Sequence, residues 1–211
     1  MTVYRLTERD QTIAAWLERV PWVEVSQLAR RFAMHEAKAY ERLRALRGAG
    51  LVEHVRLWHG RPGAYYAGRA PGPREYDHDH AVTEALIDAE RPGLETTSER
   101  EMRRAEAFSR ERTFSVPLGA SGNGAERFHR PDFIVEDGTD VAVEVELSAK
   151  GRARLERILA AYVRQTRYER VLYLVPEGAR QTAVALEGLA HRAGGAGIIE
   201  VRGLHADPVV L

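Results

Sequence analysis

The sequence contains no cysteine among its 211 residues. This absence excludes disulfide bonds, zinc–thiolate sites, iron–sulfur clusters and cysteine nucleophiles. The sequence also lacks an apolar run of the roughly 18 residues that a membrane span needs. Its first residues, MTVYRLTERDQ, contain no apolar signal segment. We therefore expect a soluble, cytoplasmic protein that has no membrane partner.

Lysine is scarce, since only Lys38 and Lys150 accompany the arginines among 31 basic residues. The formal net charge is zero, but the charges are unevenly distributed along the chain. Residues 1–74 hold 13 basic and 7 acidic side chains, whereas residues 75–128 hold 7 and 12. A basic N-terminal third joined to an acidic remainder indicates that one segment meets a polyanion and another has a different task.

Helical spacing of apolar residues predicts three helices within residues 7–49, and two short strands follow around the loop His59–Gly63. The stretch VSQLARRFAMHEAKAYERLRALRGAGLVEH, residues 25–54, resembles a winged helix-turn-helix domain. We assign this α+β domain to residues 1–68. A linker is expected at residues 69–77, where glycine and proline interrupt both the helical and the strand periodicity.

The resemblance implies that the third helix enters the major groove of double-stranded DNA and that the wing touches the backbone. Basic residues near the start of that helix, on its outer face and in the wing are therefore candidates for DNA contacts. They are His35, Lys38, Arg42, Arg56 and Arg61. The alternative for each residue is a charge that is simply solvated on the surface.

The strand candidate Val141–Leu147 carries two carboxylates on one face, because side chains alternate along a strand and Glu144 and Glu146 are two residues apart. Paired carboxylates in apolar company repel each other and lose hydration, and a divalent cation or an arginine relieves both costs. Asp132 begins the preceding strand candidate and joins them if the strands pair. Three such ligands suit Mg²⁺ or Mn²⁺. The alternative is the solvated face of an exposed strand, with Asp132 capping a turn.

The order helix, three strands, helix, strand, helix, strand, together with RPDF…VAVEVELS…K, resembles the PD-(D/E)xK nuclease superfamily. In combination with the winged helix, the chain resembles the replication-relaxation family of plasmid and mobile-element proteins. This resemblance implies an α/β restriction-endonuclease-like domain with a central mixed sheet over residues 78–211.

Within that resemblance, Asp132 and Glu144 match the positions that bind the metal. Glu146 stands where the family has lysine, which removes the usual electrostatic helper of the attacking water. Lys150 could take over that role, or Glu146 could act as a general base or an additional ligand. The family's upstream helix often supplies a further glutamate, and Glu84 is the candidate here.

Arg152, Arg154 and Arg157, on the helix that follows, are candidates to clamp the scissile phosphate. Two functions remain open. The first is a Mg²⁺-dependent DNA endonuclease or nickase that acts in plasmid or mobile-element replication or transfer. The second is a non-catalytic DNA-binding replication accessory or transcriptional regulator, whose nuclease-like domain dimerises or binds partners. The expected partners are double-stranded DNA, a second copy of the chain, and replication or transfer proteins. A covalent relaxase using Tyr162 or Tyr168 is disfavoured, because no histidine-rich metal triad accompanies them.

Overall fold

The computed structural model describes residues 6–90, 93–148 and 151–204. The chain divides into two compact units, residues 1–87 and residues 88–211. The first unit contains three helices, a two-stranded hairpin and most of a fourth helix. Their bounds are α1 (Glu8–Leu17), α2 (Val25–Arg31), α3 (Glu36–Gly48), β1 (Glu53–Val55), β2 (Ala64–Tyr66) and α4 (Tyr76–Glu90).

Local signals in the sequence set the ends and faces of these helices. α1 begins at a capping box, in which the Asp10 carboxylate accepts from the Thr7 backbone N–H and hydroxyl. α3 buries Ala39, Leu43 and Leu46, the stripe that its helical spacing predicts. β1 and β2 then pair antiparallel.

The N-terminal part of α4 packs on the first unit. The Thr83 hydroxyl donates to the backbone carbonyl of Trp22 at 3.0 Å, and the Tyr76 ring stacks on the Trp22 ring at 4.1 Å between centroids. The sequence assigns residues from 78 onward to the second domain, whereas these contacts join this part of α4 to the first unit. These contacts join residues more than 50 positions apart in the sequence, so the glycines and prolines of residues 69–77 do not predict them.

The second unit is built around a five-stranded sheet in the order β3-β6-β7-β8-β9. Its inner pairs β6–β7 and β7–β8 are antiparallel and parallel, so the sheet is mixed. Helices α6 and α7 make the crossovers that parallel neighbours require. The bounds are β3 (Glu95–Ser98), α5 (Glu99–Ser109), β4 (Val116–Ala120), β5 (Glu126–His129), β6 (Phe133–Asp137), β7 (Thr139–Val145), α6 (Arg152–Arg164), β8 (Arg170–Val175), α7 (Arg180–Arg192) and β9 (Ile199–Gly203).

This architecture confirms the prediction of an α+β protein with a central mixed sheet. Two strands were not predicted. β3 lies at the edge of the sheet, paired with β6. β5 pairs with β4 across a turn at residues 121–125. The glycines of residues 120–127 predict a loop there, and the start of β5 falls within that stretch. None of the helices in the part of the chain that the structure describes is both long and apolar enough to cross a membrane.

Candidate functional site

Asp132, directly before β6, lies close to Glu144 of the neighbouring strand β7 in the second unit. The β6–β7 register ends with Phe133 opposite Val143, and Asp132 precedes this pair. The Asp132 N–H donates to the Val143 carbonyl at 3.0 Å, and its carboxylate accepts from the Val145 N–H at 2.7 Å. Asp132 is therefore bound to β7 just outside the regular strand register, and its carboxylate is held by a backbone N–H.

Glu144 is buried between the sheet and α6, with 7% of its surface exposed. Its Oε1 lies 2.6 Å from Nε2 of His129 and accepts a hydrogen bond from the Tyr162 hydroxyl. Burial raises the pKa of Glu144, which His129 opposes and the neighbouring Asp132 charge reinforces. The carboxylate is thus fixed in position in a poorly hydrated environment.

His129 is the basic partner in this arrangement. Burial alone would lower the pKa of the His129 ring, but the Glu144 carboxylate outweighs it, so the pKa lies above its usual value. The sequence does not identify His129 as a site residue. Its partner Glu144 is 15 residues away, and the unpredicted strand β5 carries the ring to it.

Glu146 and Tyr173 complete the acidic face. Tyr173 is paired with Glu144 across the β7–β8 register, and Glu146 follows two residues later on the same face as Glu144. Burial raises the pKa of the Tyr173 hydroxyl, and the charges of Glu144, Glu146 and Asp132 raise it further. The three predicted carboxylates therefore lie within electrostatic reach of one buried hydroxyl.

The carboxylate oxygens of this acidic face are of the chemical type that Mg²⁺ and Mn²⁺ prefer as ligands. Both hydrogen bonds to Glu144 use Oε1, so Oε2 is the oxygen that a metal site would use. Across residues 6–90, 93–148 and 151–204, the structure contains no group of three or more histidine, aspartate and glutamate side chains placed to hold a metal ion. The metal therefore stays a prediction.

Comparisons with known proteins give no match: no family model, no curated protein and no solved structure is similar to this chain.

The remaining residues predicted for this site are distributed differently. Arg154 is exposed at the start of α6 and is close enough to His129 and Tyr173 for its charge to act on both. Arg152 is exposed and pairs with Glu156 at 3.1 Å along the helix. Lys150 lies outside the residues that the structure describes.

Glu84 lies in the first unit, where its carboxylate pairs with Arg30. The sequence assigns Glu84 to the acidic cluster because a helix precedes the strands. In the structure that helix, α4, carries Glu84 towards α2 instead.

Two residues predicted to contact DNA are exposed at the start of α3. His35 is the N-cap, and its Nδ1 accepts from the Ala37 N–H at 3.3 Å. Lys38 is exposed and pairs with Glu41 at 2.8 Å, a surface pair that costs little to open. Arg42, by contrast, points to Asp10 of α1, which is fully buried, with 3.2 Å between guanidinium and carboxylate. Arg42 therefore ties α3 to α1.

The hairpin carries the other two candidates. Arg56 is exposed directly after β1. Arg61 pairs with Asp77, and its guanidinium lies 5.3 Å from the Trp58 ring centroid and 5.8 Å from that of Tyr76. Arg61 is thus held against aromatic rings, whereas Arg56 presents its charge to solvent.

Proposed function

We propose that the chain is a DNA-binding protein of the replication-relaxation kind, with a winged helix-turn-helix in its first unit and a PD-(D/E)xK-like, metal-dependent nuclease domain in its second. The observation that carries the proposal is that Asp132, directly before β6, lies close to the buried Glu144 of β7, with Glu146 directly after β7. Acidic residues gathered at partly buried strand positions are costly unless they serve a ligand or a reaction.

The first unit supports double-stranded DNA as the substrate. Three helices are followed by an antiparallel hairpin, and α3 exposes Lys38, Arg44 and Arg47. An exposed basic helix beside a hairpin that exposes Arg56 fits a groove and its flanking phosphates. A homodimer on a symmetric site, and contacts with replication or transfer proteins, belong to the same proposal.

In this proposal Asp132, Glu144 and Glu146 would hold the Mg²⁺ or Mn²⁺ ion. The bound ion would supply a Lewis acid that activates water and stabilises charge on the phosphate. His129 and Tyr162 hold the Glu144 carboxylate in one orientation. Arg154, which is exposed at the start of α6, would offset negative charge on the phosphate.

A non-catalytic role is the second candidate. Glu144 is already bonded to His129 and Tyr162, and Glu146 replaces the lysine of the family pattern. In that case the acidic face is structural, and the protein acts as a replication accessory or regulator that binds DNA and partners without cutting.

Asp132→Asn is expected to lower cleavage of supercoiled DNA about a hundredfold or more while duplex binding is kept, because a neutral amide is a poor ligand for the ion. The measurement is nicking of plasmid in Mg²⁺ or Mn²⁺, with duplex affinity in parallel. Asp140→Asn is the matched control, since Asp140 lies on the same hairpin but pairs with Arg167. Wild-type protein that binds DNA but does not cut establishes the second candidate. Equal cutting by Asp132→Asn would mean that the acidic face is not the catalytic site.

Arg56→Ala is expected to weaken binding of duplexes of any sequence and to reduce the slope of log affinity against log salt by about 1, because one phosphate contact is lost. Fluorescence anisotropy over a range of salt concentrations measures both quantities. Arg180→Ala, which removes an exposed charge at the start of α7, serves as the control. An unchanged slope would remove the hairpin from the DNA interface.

A further inference from the structure

A cavity of about 370 Å³ opens in the second unit beside the C-terminal half of α5. Four arginines and one glutamate belong to its wall. The lining residues are Arg103, Glu106, Ala107, Arg110, Arg112 and Arg130. The lining therefore carries an excess of positive charge in a concave surface, which concentrates anions.

The single carboxylate of the wall belongs to the protein's interior. Glu106 is 2% exposed; its carboxylate accepts a hydrogen bond from Arg130 Nε at 2.8 Å, and Arg130 Nη2 forms an ion pair with it at 2.7 Å. It also accepts the backbone N–H groups of Phe114 and Ser115, at 2.9 and 2.8 Å. Glu106 thus fixes Arg130 in the wall, and its charge is matched inside the fold.

The other three arginines of the wall are exposed to solvent. Arg112 is half exposed, lies 3.6 Å from Glu106 and stacks over the Phe128 ring at 5.2 Å. Arg103 shares an exposed pair with Glu99, which is worth little in water. Arg110 follows the end of α5 with φ 63°, a left-handed conformation in which glycine would be less strained.

The cavity is connected to the acidic face by a short segment of chain. Within residues 129–132, the His129 ring is hydrogen-bonded to Glu144 and Arg130 donates to Glu106. The Asp132 carboxylate accepts from the Val145 N–H. We propose that the arginine cavity is a binding site for a phosphate group. Planar guanidinium forks match phosphate oxygens in pairs, which a single lysine cannot do. The source of the phosphate is either a DNA strand that passes the acidic face or a free phosphate. The first source rests on the proposed function.

The test uses the full chain and the variant Arg110→Gly, which removes one charge and suits the left-handed backbone, so that folding is not impaired. Calorimetry with inorganic phosphate should show binding to the wild type and affinity about tenfold lower in the variant. Arg112→Ala should lower the affinity for phosphate to a similar extent. Arg180→Ala, an exposed arginine at the start of α7, is the matched control and should bind as the wild type does.

The same proteins are then titrated with duplex DNA. Weaker duplex binding by Arg110→Gly identifies the DNA backbone as the source, and unchanged duplex binding with weaker phosphate binding identifies a free phosphate. Either result supports the site. Absence of phosphate binding by the wild type, or equal affinity in wild type, Arg110→Gly and Arg112→Ala, overturns it. Arg56→Ala should weaken only duplex binding, so failure of the proposed DNA interface is recognised separately.

Discussion

Replacing Glu106 by alanine is expected to lower the free energy of unfolding of the second unit by about 3–5 kcal/mol. The change leaves the half-buried Arg130 guanidinium without its carboxylate, and it deprives the Phe114 and Ser115 N–H groups of their acceptor. Orphaned polar groups in a protein interior lose both water and partner, which is why the cost exceeds that of a surface ion pair.

Urea denaturation followed by circular dichroism measures this loss. Trp16, Trp22 and Trp58, the three tryptophans of the sequence, all belong to the first unit, so their fluorescence follows that unit. Glu111→Ala, an exposed glutamate just beyond α5, is the control and should change stability by no more than about 0.5 kcal/mol. A loss of less than about 1 kcal/mol in Glu106→Ala would show that this carboxylate does not anchor the unit.

The effect of Glu106 should also depend on pH. Burial alone would raise the pKa of Glu106, but hydrogen bonds from Ser115 and Phe114 and the Arg130 charge outweigh it, so the pKa lies below 4.5. A carboxyl group with a depressed folded pKa contributes its full stability above the unfolded pKa and loses it as the pH falls through the folded value. The gap between wild type and Glu106→Ala should therefore be widest near neutral pH and narrow in acid. A gap that widens in acid would contradict this.

Replacing His129 by alanine is expected to lower the free energy of unfolding by about 3 kcal/mol, because the buried Glu144 carboxyl group then loses its hydrogen-bonding partner. The loss should be smaller when Glu144→Gln is introduced as well, since a neutral amide depends less on the imidazole. A double-mutant cycle by urea denaturation separates this coupling from the loss of the ring's packing. Additive effects of the two substitutions would mean that the pair does not interact in the folded protein.

The sequence predicts those features of the fold that depend on local spacing. The buried stripe of α3 follows from the period of a helix, and the alternation that places Glu146, just beyond β7, on the same face as Glu144 follows from the period of a strand. The apolar run of β8 likewise indicates a central strand, buried on both faces.

Features that depend on pairing between distant segments are not visible in this way. β3 is short, polar and at the sheet edge, so its sequence ETTS lacks the alternation of a half-buried strand. Arg42 lies on the polar side of α3, and only folding brings Asp10 of another helix to it. The contacts of His129 with Glu144 and of Arg130 with Glu106 also join residues that are distant in the sequence.

The turn between β4 and β5 gives the protein a practical attachment point. Residues 122–124 are exposed there, and the sequence has no native thiol. An Asn123→Cys variant would therefore carry a single reactive sulfur at the tip of a surface hairpin. A fluorophore or spin label coupled to it would report on the second unit alone, complementing the intrinsic indole signals of the first.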